Sequence, residues 1–329
     1  MTAGPLRVGV LGVGSLGFHH ARILRDVPGA EMAGVFDASP RRTAQVAAEL
    51  GVRGFVSRAE LLASVDAAVI AVPTTLHAEV ALAALDAGVH LLIEKPIAST
   101  LEEADRIVAR AEEQGVVVAT GHVERFNSAL RACEQWLDGP QFIESHRLAP
   151  FGPRGTDVAV VLDLMIHDID LVLGLVGRPV ESVDAVGVGV LSSNVDIANA
   201  RFVFEGGAVA NVTASRVSLE RMRKIRFFQR SGYISLDLAK GTGEFLRLRK
   251  GATMPEGEIN PLSLMSIVER IELAGDGAEP LRAELEAWVA AVRGEGPLVV
   301  SGRDGRDALA IALRVMDRIE HHAAAAQSA

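Results

Sequence analysis

Short apolar runs alternate with amphipathic stretches over the first 120 residues. The runs at 6–12, 30–37, 67–72, 90–95 and 116–120 are apolar at nearly every position, the pattern of parallel strands buried on both faces. Between them the spacing predicts helices near 15–26, 41–50, 76–87 and 100–114. Strand and helix in strict alternation predict a doubly wound parallel sheet. Beyond residue 124 the rhythm changes. A helix to about 137 and an apolar helix over 157–175 lead into strand-like runs at 183–191, 197–207, 208–217, 224–232, 233–238 and 245–250. Gly206-Gly207 and Ser231-Gly232 mark turns between neighbours, so a large, mostly antiparallel open sheet is expected. Segment 251–280 reads as loop. Helices near 280–293 and 303–322 follow, with a tail over 321–329 expected to fray. The expected fold is α/β: a parallel dinucleotide-binding domain over 1–122 and an α+β domain over 123–329. The last helix is free to pack back on the first domain.

Composition narrows the class. The 329 residues are 49% hydrophobic and 23% charged, which suits an ordinary globular core and not a disordered chain. No apolar run reaches the roughly 18 residues of a membrane span, so no membrane partner is expected. The opening stretch "MTAGPLRVGVLGVGSLG" runs into glycines at phosphate-loop spacing and reads as a first strand, not an export leader. One cysteine, Cys133, excludes an internal disulfide framework and a multi-cysteine metal site, and fits a reducing compartment, by default the cytoplasm. A net charge of -9 argues against sequence-independent nucleic-acid binding.

The first candidate chemistry is Gly12, Gly14 and Gly17, a G-x-G-x-x-G between a strand and a helix that brings Ser15 and Leu16 into the same loop. Gly12 permits the tight turn, Gly14 lets backbone N–H groups approach a pyrophosphate, and Gly17 allows helix to pack on strand. Asp37, ending the second strand, would accept hydrogen bonds from adenosine ribose hydroxyls and repel a 2'-phosphate. That favours NAD over NADP, although Arg41 and Arg42 pull the other way.

Glu94 and Lys95 follow a buried strand, where ligands of open parallel sheets bind, and Pro96 stops the strand and re-aims the lysine. Solvated strand-end charges are the plainer alternative. On the apolar helix, Asp163 and His167 are i,i+4 neighbours and Asp170 continues the face. A histidine oriented by a carboxylate is a candidate general base; a satisfied core histidine or a metal ligand are the alternatives. No second cluster with zinc spacing supports a metal, and neither His19-His20 nor His321-His322 supplies one.

The stretches "GVGSLGFHHARIL", "VPTTLHAEVALAALDAGVHLLIEKPIAST" and "DLMIHDIDL" together resemble the Gfo/Idh/MocA family, over essentially the whole chain. The resemblance implies a Rossmann domain followed by an open-sheet domain, with NAD at their junction. It implies that Lys95 is the catalytic lysine and that its bond to Pro96 is cis. Asp163 and His167 would face a sugar, Pro73, Thr74 and His77 would belong to the loop passing the cofactor, and Glu94 would lie near the nicotinamide ribose. Within the family, "GHVERFNSAL" and "DLMIHDIDL" look most like dehydrogenases acting at C3 of UDP-N-acetylhexosamines in amino-sugar and lipid A pathways. For such a substrate Arg125, Arg147 and Arg154 are candidate partners of the diphosphate. The run 216–226 is expected at an edge or turn of the sheet. The late strands 197–207 and 208–217 leave one apolar face for a partner copy, so a homodimer or homotetramer through the C-terminal sheet is expected. A dehydrogenase of a free polyol such as an inositol, and a non-catalytic dinucleotide sensor, remain alternatives.

Overall fold

The computed structural model describes residues 4–152, 158–252 and 266–327. The chain divides into two units, Met1–Phe126 with Glu279–Ala310, and Asn127–Ala278 with Ile311–Ala329.

In the first unit β1 (Leu6–Leu11), α1 (Ser15–Leu24), β2 (Ala30–Phe36), α2 (Pro40–Leu50), α3 (Arg58–Leu62), β3 (Ala67–Ile70), α4 (His77–Asp86), β4 (His90–Glu94), α5 (Leu101–Gln114) and β5 (Val118–Gly121) follow one another. The strands form one parallel sheet in the order β2-β1-β3-β4-β5. Every residue of β3 is buried, as is nearly all of β1 and β4, which is why these strands read as unbroken apolar runs. Local sequence sets the helix ends. Thr100 and Glu103 form a reciprocal capping box on α5, and Gly115 ends it in the left-handed region at φ 63°.

The expected division at residue 122 needs correction. The helix Pro280–Val292 sends Leu285, Trp288 and Val289 into the core that holds Val8, Val10, Ile23 and Val35, so residues 279–310 complete the first unit instead of the second. Burial of those three large side chains, each worth roughly 1.5–3 kcal/mol, outweighs their distance along the chain.

In the second unit α6 (Ser128–Cys133) and β6 (Phe142–Leu148) precede a π-turn, Val161–Met165, that runs directly into α7 (Ile166–Val176). Strands β7 (Val180–Val188), β8 (Ile197–Phe204), β9 (Val209–Ser215), β10 (Met222–Gln229), β11 (Gly232–Asp237), β12 (Thr242–Leu248) and β13 (Val268–Ala274) complete an eight-stranded sheet, ordered β13-β12-β11-β10-β6-β9-β8-β7. Every neighbouring pair is antiparallel except β6 and β9. Pro280–Val292 and Gly302–Gln327 are α8 and α9; α9 begins in the first unit and ends in the second. It stays helical through 321–327, where alanine's high helix propensity overrides the expected fraying.

Three expectations for this sheet change. Strand β6 lies in a stretch where the sequence pattern predicts no element, and β13 lies within the expected loop 251–280. In the run 216–226, residues 216–221 form the expected turn, with Arg216 buried, whereas 222–226 enter β10, an interior strand between β11 and β6 and not an edge. Finally, the apolar positions Ala198, Ala200, Phe202, Phe204, Ala210, Val212 and Ala214 are already buried within the chain. The opposite face carries polar pairs instead, Asn199 with Thr213 at 2.9 Å and Arg201 with Asn211 at 3.0 Å, beside an aromatic row of Phe142, Phe228 and Tyr233.

Candidate active site

The glycine loop has the shape its residues dictate. Gly12 sits at φ 83°, and a Cβ there would lie 2.7 Å from the Ala71 carbonyl oxygen. One at Gly17 would lie 1.8 Å from the carbonyl oxygen of Gly12, so α1 could not approach β1. Above Gly14 there is open space, with Ser15 and Leu16 exposed beside it. Open space over backbone at the start of α1 is what a pyrophosphate would need, so these residues fit a dinucleotide. The Asp37 carboxylate accepts from the Val13 and Ser39 backbone N–H groups, both at 2.9 Å, which fixes it beside the loop. Arg42 donates through Nε to the Val13 carbonyl at 2.6 Å and through Nη2 to that of Gly14 at 3.3 Å. Its guanidinium braces the loop.

Beyond β3, Pro73 and Thr74 lead through a short 3-10 turn, Thr74–Leu76, into α4, with Thr74 half-buried. His77 opens α4 and is buried; its ring nitrogens bond the carbonyl oxygens of Pro96 and Val72 at 2.9 and 3.0 Å. The imidazole therefore ties two loops together, and its contacts are internal to the fold. Burial pushes the His77 pKa down against the raising effect of these carbonyls and of Glu94. Beyond β4 the Lys95–Pro96 bond is cis, and Lys95 is half-buried. Lys95 has a compositional signal: the chain holds four lysines against 29 arginines, and Lys95 is the only lysine in the first unit. An ammonium here offers a compact cation with rotatable donors where a guanidinium would offer a planar fork.

Glu94 is buried behind the lysine and accepts a 2.7 Å hydrogen bond from His20 of α1 and one of 3.2 Å from the Lys95 backbone N–H. Burial raises its pKa, but the His20 bond and charge, with Lys95, outweigh that and hold it below the usual carboxylate range. His20, which the sequence presents only as half of a His19-His20 pair unsuited to a metal, lies in the "FHH" that directly follows the glycine triplet.

In the second unit Asp163 lies in the π-turn and His167 in the first turn of α7, both half-buried. Single π-turns recur at functional sites. Asp170 is buried, so it does not share the exposure of the other two. Arg147 is not available to a diphosphate. Its Nε donates to Asp168 Oδ2 at 2.5 Å and its Nη2 to Oδ1 at 3.3 Å, while the Ser145 hydroxyl donates to Oδ1 at 2.7 Å. The Arg147 and Asp168 side chains are 4% and 2% exposed, so this pair fastens α7 to β6 immediately beside His167. Arg216 makes a second fastening, donating to the carbonyl of Val158 ahead of the π-turn and to that of Val195 ahead of β8.

Arg125, in the first unit, faces Asp304 at 3.9 Å with its side chain 16% exposed. Arg154 lies outside the described residues. Among the described residues no group of three His, Cys, Asp or Glu side chains could share a metal ion, and no helix is long and apolar enough to cross a membrane. Cys133 is buried, which pushes its thiol up to about 12 and keeps it unreactive.

Residues 6–122 match the model of the oxidoreductase family with the NAD-binding Rossmann fold, and residues 140–235 match the GFO/IDH/MocA C-terminal domain. The chain belongs to the Gfo/Idh/MocA oxidoreductase family. Its first unit is accordingly an NAD-binding domain. Across 316 residues the chain is 40% identical to a UDP-N-acetylglucosamine 3-dehydrogenase of Acidithiobacillus ferrooxidans, covering 96% of this chain and 97% of that one. A solved structure of that enzyme superposes with a TM-score of 0.87 at 39% identity, over 96% of this chain and 98% of its own. An inositol 2-dehydrogenase of Rhodococcus jostii is 30% identical over 88% of this chain and 82% of its own. A scyllo-inositol dehydrogenase from Lactobacillus casei, solved with NAD(H) and scyllo-inositol, is 19% identical with a TM-score of 0.78, covering 97% of this chain and 98% of that one, and shares the fold.

Proposed function

We propose that this oxidoreductase oxidises a secondary hydroxyl of a nucleotide sugar, C3 of UDP-N-acetylglucosamine, to the ketone. The observation that carries the reading is the 40% identity to a UDP-N-acetylglucosamine 3-dehydrogenase over almost the full length of both chains. Bound NAD supplies the hydride acceptor. The glycine loop and the start of α1 would hold its pyrophosphate, Asp37 the adenosine ribose hydroxyls and Glu94 the side of the nicotinamide ribose, with Pro73 and Thr74 in the loop that passes the cofactor. Lys95 hydrogen-bonds the alkoxide as it forms, His167 takes the hydroxyl proton, and Asp163 orients His167 or a neighbouring hydroxyl. Arg125 and Arg154 are assigned to the diphosphate. The setting is the cytoplasm, within amino-sugar synthesis of the lipid A type.

Recording NADH absorbance against UDP-sugars and free polyols tests the reading. UDP-N-acetylglucosamine should be turned over and UDP should compete with it. Turnover of a free polyol with no inhibition by UDP would favour the inositol dehydrogenase reading, which the Rhodococcus relative supports. A sensor without chemistry has no need of Lys95, Asp163 and His167.

Cofactor choice rests on Asp37. Asp37→Ala is expected to weaken NAD and relax discrimination against NADP, read as the ratio of the two dissociation constants. Tighter binding of NADP by the unaltered protein would contradict it. Assembly rests on the aromatic row of the open sheet face, where Phe142 and Phe228 rings lie 5.4 Å apart and Phe228 and Tyr233 rings 4.9 Å apart. A second copy covering that row would give a homodimer or homotetramer. Light scattering should return at least twice the 34.8 kDa of one chain.

A further inference from the structure

The chain neighbours of Lys95, Glu94 and Pro96, are each bonded to a buried histidine, and the mechanism above uses neither histidine. His20 is 0% exposed and its Nε2 lies 2.7 Å from Glu94 Oε1. A carboxylate only accepts, so the proton of this bond sits on Nε2. His20 Nδ1 is buried and has no hydrogen-bond partner among the described residues, which leaves the bond to Glu94 as the ring's polar anchor. On the other side His77, 1% exposed, has Nδ1 at 2.9 Å from the Pro96 carbonyl oxygen and Nε2 at 3.0 Å from that of Val72. Carbonyls also only accept, so the neutral ring that burial favours donates its one N–H to one of these two oxygens at a time, holding both loops against it. Between the two histidines, Glu94 Oε2 accepts from the Lys95 backbone N–H at 3.2 Å. The Glu94 carboxyl also packs closely on Gly121 of β5, where an added Cβ would lie 3.2 Å from it.

We infer that His20 and His77 are positioning residues for Lys95: one fixes the carboxylate of residue 94, the other the carbonyl of residue 96, and the lysine is aimed from the segment pinned between them. The anchors come from different elements. His20 lies on the helix that follows the glycine loop, and His77 on the helix that follows the Pro73-Thr74 loop. The elements expected to hold the cofactor thereby also hold the backbone of the lysine. Displacement of a reacting group by about 1 Å costs roughly 100-fold in rate, so fixing this segment has kinetic value without any contact to substrate.

The inference rests on the catalytic reading of Lys95, and its test separates the two. The protein has only four lysines, at 95, 224, 240 and 250, so lysine carrying 13C at Cε gives a four-signal NMR spectrum in which Lys95→Met identifies the Lys95 signal. Read on the protein without substrate or cofactor, that signal should shift or broaden in His20→Ala and in His77→Ala. In the same variants single-turnover hydride transfer should fall about 10-fold or more while the NAD dissociation constant changes by less than about 3-fold. His20→Gln and His77→Asn each keep one donor and should recover most of both signals. Ala variants that fold with an unmoved Lys95 signal and normal hydride transfer would overturn the inference. So would losses in rate matched by equal losses in NAD affinity. Should the Ala variants fail to fold, the Gln and Asn variants decide: retained rate and Lys95 signal support the assignment, and a tenfold loss rejects it. Failure of the catalytic reading itself would show separately, as normal turnover in Lys95→Met.

Discussion

Lys95→Ala is expected to lose on the order of 100-fold or more in hydride-transfer rate while still binding NAD, the scale of a deleted transition-state donor. The reason is differential: the ammonium meets little charge on the ground-state hydroxyl and meets the negative charge that develops on the same oxygen as its proton leaves, so its removal raises the barrier more than it weakens binding. Lys95→Met retains most of the aliphatic stem, and an equally large loss there assigns the effect to charge instead of packing. His167→Ala should behave alike. Single-turnover kinetics with separately measured NAD dissociation constants read both quantities, and turnover within a few-fold of wild type in Lys95→Met would end the assignment.

The second large effect is on stability. Asp168→Ala is expected to cost about 3–5 kcal/mol, because it leaves the Arg147 guanidinium buried without its partner. Arg147→Ala should cost a similar amount by stranding the carboxylate. Replacing both together, Arg147→Met with Asp168→Leu, should return most of the stability, since two well-packed apolar side chains carry no desolvation penalty. Urea unfolding at fixed pH measures all three, with the slope checked for constancy. A loss below about 1 kcal/mol in the single variants would mean that water reaches the pair and that it does not fasten α7 to β6.

This pair also marks where the sequence stops being readable. The glycine loop, Asp37 and the E-K-P segment are local patterns: strand, turn and acid lie within 40 residues, and one parallel sheet orders them. Strand β6 escaped because Ser145 and Arg147 occupy inward positions where apolar residues were expected, and their reason for pointing inward is Asp168, about twenty residues further on. For the same reason Arg147 looked like an anion ligand. An arginine's charge is visible in sequence, whereas the carboxylate that consumes it is a tertiary fact. Asp163 and His167 were found by helical spacing, but the π-turn that carries Asp163 depends on how the segment before α7 is tethered by Val195 and Arg216. The path of 279–310 was equally out of reach, because amphipathic α8 is consistent with packing against either unit.

The return of 279–310 imposes an order on synthesis. Until the ribosome has passed Val292, the nascent first unit carries Val8, Val10, Ile23 and Val35 without Leu285, Trp288 and Val289 to cover them. The nucleotide-binding sheet is translated before the second unit's strands and is sealed only after them. During that interval its apolar flank is exposed, the condition under which incompletely packed chains aggregate.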